Sequence, residues 1–346
     1  MKLVLRLPVI ITTALLFFFV GKGSALATDQ SFSDVPPGHQ AYNAAEYLKE
    51  AGIISGYSDG TFQPNKPVNR AEALKIIIGN LVTQEQINIA TTTDFSDIPE
   101  GTWYLPYTEI AKVNGIIDGP PKKTAFLGGN TVKKVEFIKM LLLANKVDPN
   151  SFSEISLPLS SDVKDTSAWF YPYFRYAITS SMTMIGQDGL LHPDRELSRG
   201  ETALLMHRFI MYKAGRRTQA LLSEAESEIL VILSMLEANN LEQAEFASAR
   251  ALLASRGAHV SKPNESIVVG ALKISEAFRA LVRAYRSGVE KDLPQVEKLA
   301  KDAWTLGERA KSEEPNLKTF ADQVQAIAQN MAESARAEMA KEKQAE

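Results

Sequence analysis

One pattern occurs three times in the first 213 residues, and this repetition constrains the fold more than any single motif. The first copy has an Asp at position 34, a glycine-rich loop at 52–64 and the motif Asn69-Arg70-Ala71-Glu72. Two further copies follow in the same order, with Asp97 and Asp165 taken as the counterparts of Asp34. These counterparts are 63 and 68 residues apart, so the chain encodes three similar modules.

Each copy predicts a helix, a loop and a second helix. Residues 42–51 have helical composition, and Gly52 stands where a helix C-terminus should end. The repeated Asp suits a helix N-cap or a turn. Two second helices begin with a capping box, in which a short polar side chain and a Glu three residues later bond each other's amides. The predicted structural caps are Asn69, Glu72, Ser198 and Glu201.

A basic residue occupies the first turn of every second helix: Arg70, Lys134 and Arg199. A cation there opposes the helix dipole by about 0.3–1 kcal/mol, so capping does not explain it. A helix start with a guanidinium suits a bound anion such as a carboxylate. An ion pair with an acid of a neighbouring module is the alternative, and the residues alone leave both open.

Aromatic residues begin the first helices of the second and third copies. Exposed Trp103 and Trp169 beside cations would form a stacking surface for a sugar ring. Packing between modules is the alternative, and it is common for aromatic residues at helix starts.

These motifs resemble the S-layer homology domain. The resemblance rests on Phe-Ser-Asp-Val, Gly-Ile-Ile-Ser-Gly-Tyr-Ser-Asp-Gly-Thr-Phe-Gln-Pro and Val-Asn-Arg-Ala-Glu, and it covers about residues 31–213. It implies a pseudo-threefold assembly whose inter-repeat grooves bind acidic, often pyruvylated, sugars of a secondary cell-wall polymer or a peptidoglycan-linked glycan. Such a protein is anchored to the wall non-covalently. The candidate polymer-binding residues are Arg70, Arg199, Lys134, Gly56, Tyr57, Asp59, Trp103 and Trp169.

The copies depart from this pattern in ways that put one groove in doubt. The second copy has Lys133 at the capping position, and its loop lacks Asp-Gly. The third copy has Ile185 where the first has Gly56, and the first copy has no Trp before its first helix. One groove is therefore expected to be structural only.

The N-terminus predicts export. Lys2 and Arg6 precede an apolar run from Leu7 to Val20, and Ala25-Leu26-Ala27 resembles a cleavage site, so residues 1–27 are expected to be a signal peptide. An uncleaved anchor is the alternative, but the run is shorter than the roughly 20 residues of a span. Cleavage removes three bases and takes the net charge from −3 to −6. That weak charge gives no reason to expect nucleic-acid binding, and no other run is long enough to cross a membrane.

Residues 217–346 have a different composition, rich in Ala, Glu, Leu and Lys. Asn239-Asn240, Gly257, Pro263, Gly288, Pro294 and Pro315 divide this part into about five helices, which predicts an antiparallel bundle with a fraying tail. The predicted domains are repeats at 28–90, 91–150 and 151–213, and the bundle at 217–346. The composition break also suggests that the repeats fold and bind walls without the bundle.

Nothing in the sequence indicates a catalytic or metal centre. The four histidines are scattered, cysteine is absent, and no Gly-x-Ser-x-Gly motif occurs, so no cofactor or metal is expected. The favoured function is an exported envelope protein at the cell wall or cell surface, or at the periplasmic face of the envelope if there is an outer membrane. Its bundle would contact an unknown protein partner. A wall-directed hydrolase, whose carboxylate pair need not be close in sequence, and a structural unit of a surface array are the alternatives.

Overall fold

The computed structural model describes residues 30–79, 81–119 and 122–345, so the expected signal peptide at 1–27 lies outside the described residues. The mainly α fold is confirmed, since the described residues form helices and only isolated β-bridges. The helices are α1 (Tyr42–Glu50), α2 (Arg70–Ile78), α3 (Gln84–Ile89), α4 (Leu105–Val113), α5 (Lys134–Ala144), α6 (Tyr171–Thr179), α7 (Arg199–Lys213), α8 (Thr218–Glu237), α9 (Leu241–Ser261), α10 (Ser266–Val289), α11 (Leu293–Glu313) and α12 (Lys318–Ala345), with a 3-10 turn at Pro315–Leu317.

The three repeats are joined by a closed ring of backbone hydrogen bonds. Val68 N donates to Leu197 O (2.9 Å), Leu197 N to Val132 O (3.1 Å), and Val132 N to Val68 O (2.9 Å). All three side chains are buried, so these bonds lie in the shared core and are shielded from water. Each repeat therefore contacts both others, while the pseudo-threefold symmetry itself stays a prediction.

The repeated Asp ties the start of each repeat to its own loop. The carboxylate of Asp34 accepts the amides of Phe62 and Gln63, both at 2.7 Å. Gln63 has a positive φ of 56°, a conformation that ordinary side chains avoid, and the carboxylate helps to hold it there. The helix-cap interpretation of this Asp was wrong, because the N-cap of α1 is Ala41, which makes no side-chain cap bond.

The same arrangement corrects the third copy. Asp97 accepts the amides of Phe126 and Leu127, and Asp162 accepts those of Leu191 and His192. Asp162, and not Asp165, is therefore the counterpart of Asp34, and the spacings become 63 and 65 residues. Asp165 instead forms a local turn with Ser167.

The C-terminal part contains five helices, α8 to α12, with neighbours packed antiparallel. Glu245 near the start of α9 pairs with Arg286 near the end of α10, and Glu297 of α11 pairs likewise with Arg336 of α12. Gly257 and Gly288, expected to divide helices, lie inside α9 and α10 instead. The helix breaks fall at the Asn239-Asn240 pair and at the three prolines.

The bundle packs directly against repeat 3. A β-carbon on Gly257 would lie 1.8 Å from Thr179 O, so α9 and α6 touch backbone to backbone. The guanidinium of Arg250, 5% exposed, binds both carboxylate oxygens of Glu228 and donates to Leu159 O. One buried cluster of apolar side chains runs from the repeats into α8 and α9. The composition break therefore does not coincide with a break in the core.

Among the described residues, no helix is both long enough and apolar enough to cross a membrane.

Candidate functional site

The cation at each second-helix start reaches into the loop of another repeat. Arg199 Nε donates to Phe62 O (2.8 Å), Arg70 Nε to Phe126 O (3.2 Å), and Lys134 Nζ to Leu191 O (2.7 Å). The three acceptor residues occupy the same loop position, since the amide of each is bonded by the repeated Asp of its own repeat. We call this pair of Asp–amide hydrogen bonds the Asp clamp. Loops 1, 2 and 3 are the segments between α1 and α2, between α4 and α5, and between α6 and α7. Repeat 3 thus contacts loop 1, repeat 1 contacts loop 2, and repeat 2 contacts loop 3.

The helix-start amides are not free to bind an anion. The amides of Arg70 and Ala71 donate to Asn130 O and Gly128 O of the neighbouring repeat, and the amide of Glu72 donates to Asn69 Oδ1. The amides that begin α5 and α7 are bonded to neighbouring loops in the same way. The expectation of a helix-dipole anion site is therefore not met, and only the side chains could hold a ligand.

Groove 1 combines one element from each repeat: loop 1 with α2, Arg199 of repeat 3, and Trp103 of repeat 2. It encloses about 260 Å³. Arg199 Nη2 donates to Ser55 O (3.1 Å), and no carboxylate among the described residues lies within 4.0 Å of this guanidinium. Trp103 is 53% exposed, and Lys75 Nζ lies 5.7 Å from its ring centroid. A cation without a direct ion-pair partner and an open indole face therefore share one groove, whose lining also includes the acid Glu72.

The loop-1 residues predicted to bind polymer differ in what they contact. A β-carbon on Gly56 would lie 2.7 Å from the Phe32 ring and from Thr61 O, so this position needs glycine for packing. Tyr57 lies between two cations, with Arg199 at 5.0 Å and Lys66 at 4.9 Å from its ring centroid. The carboxylate of Asp59 is bonded to Thr61, and these hydrogen bonds lower the pKa of Asp59, so it shapes the turn and does not line the groove.

Groove 2 has the same composition but a different charge balance. It encloses about 650 Å³ between loop 2, α5, Arg70 of repeat 1 and Trp169 of repeat 3. Arg70 Nη1 forms an ion pair with Glu136 Oε1 (3.1 Å), so internal pairing, one of the two alternatives, applies here. Trp169 is 58% exposed with Lys139 Nζ 5.4 Å from its ring centroid. The lining also contains Lys123, Lys133 and the acid Asp118, so basic side chains outnumber acidic ones in this groove.

Groove 3, where Lys134 meets loop 3, is built differently. Lys134 is 7% exposed, and burial lowers its pKa to about 8. It was predicted to bind polymer, but its ammonium is shielded and bonded to Leu191 O, so it is no longer a candidate ligand group. Gln40 and Leu204 occupy the places of the exposed Trp and the second Lys. This groove lacks the groups that make the other two suitable for an anionic sugar.

The predicted caps form hydrogen-bonded boxes. Asn69 accepts the amide of Glu72 and Glu72 accepts that of Asn69; Ser198 and Glu201 do the same. Glu136 accepts the amide of Lys133 without a reciprocal short polar side chain. Sequence reasoning missed Lys75 and Lys139, which could have been found because each lies five residues after a helix-start cation.

No cluster of three or more potential metal ligands occurs among the described residues. The closest approach to such chemistry is His192, whose Nε2 lies 2.7 Å from Asp188 Oδ2 at the exposed end of loop 3.

Grooves 1 and 2 combine cations and exposed aromatic side chains from different repeats, and comparison with known proteins identifies the family that the first repeat matches. The family model described as the S-layer homology domain matches residues 31–74, so the chain contains an S-layer homology domain. The chain is similar to the S-layer protein EA1 of Bacillus anthracis (28% identical, 51% of this chain, 20% of that protein).

Two further relatives have names that indicate other functions. A cellulosome-anchoring protein of Acetivibrio thermocellus is 32% identical over 35% of this chain and 26% of that protein. An endo-1,4-beta-xylanase A of Thermoanaerobacterium saccharolyticum is 36% identical over 30% of this chain and 9% of that protein. The chain thus spans a quarter or less of the length of most relatives it matches.

Proposed function

We propose that this protein is an exported surface protein that binds an acidic cell-wall polymer through grooves 1 and 2 and presents the bundle at the wall. The observation that carries the proposal is Arg199, whose guanidinium is fixed by two carbonyls and forms no ion pair with a carboxylate of the described residues. An arginine held in this way keeps its charge and much of its fork free for a carboxylate of a sugar.

The neighbouring groups fit a sugar that carries such an acid. The indole of Trp103 offers an apolar face to the ring, and Lys75 adds a second positive charge above it. Groove 2 repeats this pair with Trp169 and Lys139, so two units of one polymer chain could be held at once. Two linked contacts of moderate strength give high overall affinity without any further contact.

The relatives support anchoring, because the names of several of them concern S-layers or anchoring. A catalytic function is the weaker candidate. It is favoured only by relatives named as glycan-degrading enzymes, which match this chain over a small part of their own length.

The test is co-sedimentation of the mature protein with purified walls before and after the wall polymer is extracted. We expect binding to intact walls that disappears after extraction and weakens as salt rises, because the contact is partly Coulombic. Binding that is unchanged by extraction would overturn the proposal. Replacement of both free cations, Arg199→Gln with Lys75→Gln, should lower affinity more than Lys291→Gln on the bundle surface.

A further inference from the structure

Three arginines lie on one face of α10, but only one of them has a carboxylate partner. Arg279, Arg283 and Arg286 are spaced by four and three residues, which places them on neighbouring turns. Arg286 binds both oxygens of Glu245. Among the described residues no carboxylate lies within 4.0 Å of Arg279 or Arg283.

Arg279 is also half-buried. Burial is the main cause that lowers the pKa of its guanidinium; the charge of nearby Glu245 raises this pKa, and those of Arg283 and Arg286 lower it. Its described hydrogen-bond partner is the hydroxyl of Ser248, at 2.9 Å from Nη1. A desolvated cation that has one neutral acceptor is unfavourable unless a counter-charge is supplied. Glu245, the nearest acid, is already bonded to Arg286.

A second unpartnered donor lies on the same face. Ser275 is one turn before Arg279, its side chain is fully buried, and its hydroxyl has no hydrogen-bond partner among the described residues. Buried hydroxyls are nearly always hydrogen-bonded in native proteins. Two guanidinium groups without a carboxylate partner and one unsatisfied hydroxyl therefore lie along one stretch of α10.

We propose that α9 and α10 form a binding site for one small oxyanion, a phosphate or a carboxylate, held by Arg279 and Arg283. The planar guanidinium fork matches two oxygens of such a group, and a neighbouring fork on the next turn supplies the second pair of donors. The site is on the bundle, away from the grooves, so it does not depend on the proposed wall binding. It gives the bundle a ligand of its own.

The experiment is a titration of the mature protein with inorganic phosphate, and separately with acetate, at constant ionic strength. Melting temperature and binding heat are the measurements. We expect at least one of these anions to raise the melting temperature by 2 °C or more, on the order of a ligand present at several times its dissociation constant. Phosphate alone, acetate alone or both then identify the preferred oxyanion.

Arg283→Ala is the decisive variant, because Arg283 is exposed and its removal should not impair folding. It should lose at least half of the anion-induced shift, and Arg279→Met should lose nearly all of it. Arg309→Ala on α11, also exposed, is the matched control and should respond like the wild type. The grooves are unchanged in every variant. If no anion shifts the wild type, or if Arg283→Ala responds fully, the site does not exist.

Discussion

Grooves 1 and 3 use the same backbone frame for different purposes. In both, an Asp clamp holds the loop, and a cation from another repeat donates to the carbonyl of a loop residue whose amide the Asp binds. In groove 1 that cation is Arg199, which has an exposed indole and a second cation beside it. In groove 3 it is Lys134, which is buried and has neither. The frame therefore sets the position of the cation, and its neighbours decide whether a ligand can reach it.

The bundle explains part of this difference. Ser181 of repeat 3 takes the place of Gly52 in repeat 1, with the same positive φ. Its hydroxyl contacts Arg217 and Glu224 of the bundle, while Arg208 of repeat 3 itself donates to Met182 O in the next position. Repeat 3 is thus bonded to the bundle where repeat 1 is open to solvent. One repeat is a junction, and the other is a candidate site.

The largest effect should come from separating the junction. Truncation after Lys213 removes α9, whose backbone packs against that of α6, and opens the buried apolar cluster that the repeats share with α8 and α9. At about 1.5–3 kcal/mol for each large apolar side chain, several kcal/mol of stability are lost. We expect residues 28–213 to melt far lower than residues 28–346, or to self-associate in sedimentation. The composition break alone suggested independent folding, and equal melting temperatures for both chains would support that earlier expectation.

A single substitution tests the same junction without shortening the chain. Gly257→Val inserts atoms where Thr179 O already lies, so α9 must move away from α6. Such overpacking costs about 1–3 kcal/mol, and more where backbone is displaced. Gly129→Ala is the control, because its β-carbon would meet nothing within 4 Å. Thermal melts that show equal stability for the two variants would mean that the junction is loose in solution.

These two predictions could not have been made from the sequence. The capping boxes were readable because both partners lie within four residues, and the helix breaks were readable from prolines. Contacts such as that of Gly257 with Thr179 join residues far apart in the chain, and no local sequence pattern predicts them. Arg70 and Arg199 occupy the same motif position, but of the two only Arg70 forms an ion pair, with Glu136, which lies 66 residues away in the chain. The Asp162 counterpart was missed because a second Asp follows three residues later.

Lys134 predicts a pH dependence that is specific to groove 3. Its pKa is lowered from 10.5 to about 8 by burial. Between these values the unfolded chain holds a proton that the folded chain has released, so stability rises with pH across the window from 8 to 10.5. The full contribution is roughly 3 kcal/mol. Denaturant melts from pH 7 to 10 should show this rise in the wild type and a weaker one in Lys134→Met. Parallel curves for the two proteins would contradict it, and Lys139→Met serves as the surface control.

The arginines of grooves 1 and 2 should differ in their effect on wall binding. Arg199→Gln removes a cation that forms no ion pair with the described residues and should weaken wall binding about tenfold, or ~1.4 kcal/mol. Arg70→Gln removes a cation that already has Glu136, so its effect should be smaller. Arg199→Lys tests whether binding needs the two-pronged guanidinium and not only a positive charge. Lys134 shows that an ammonium at this position can still reach the loop carbonyl. Binding isotherms on whole walls rank the three variants, and a greater loss for Arg70→Gln would reverse the assignment of groove 1.

The smallest expected effect is the difference in stability between variants of the two capping boxes. Glu72→Ala removes one half of the box that begins α2, which should cost on the order of 1 kcal/mol. Glu201→Ala removes the same cap from α7 and also an ion pair with Arg195, whose side chain is 47% exposed. An exposed pair adds only about 0–1 kcal/mol, so the second variant should be slightly less stable than the first. Glu226→Ala, exposed on α8, is the control and should melt like the wild type.

Wall binding should follow stability in all three variants, since none of these carboxylates is assigned to the polymer. If Glu72→Ala instead lost binding at full stability, the carboxylate would be a ligand group of groove 1.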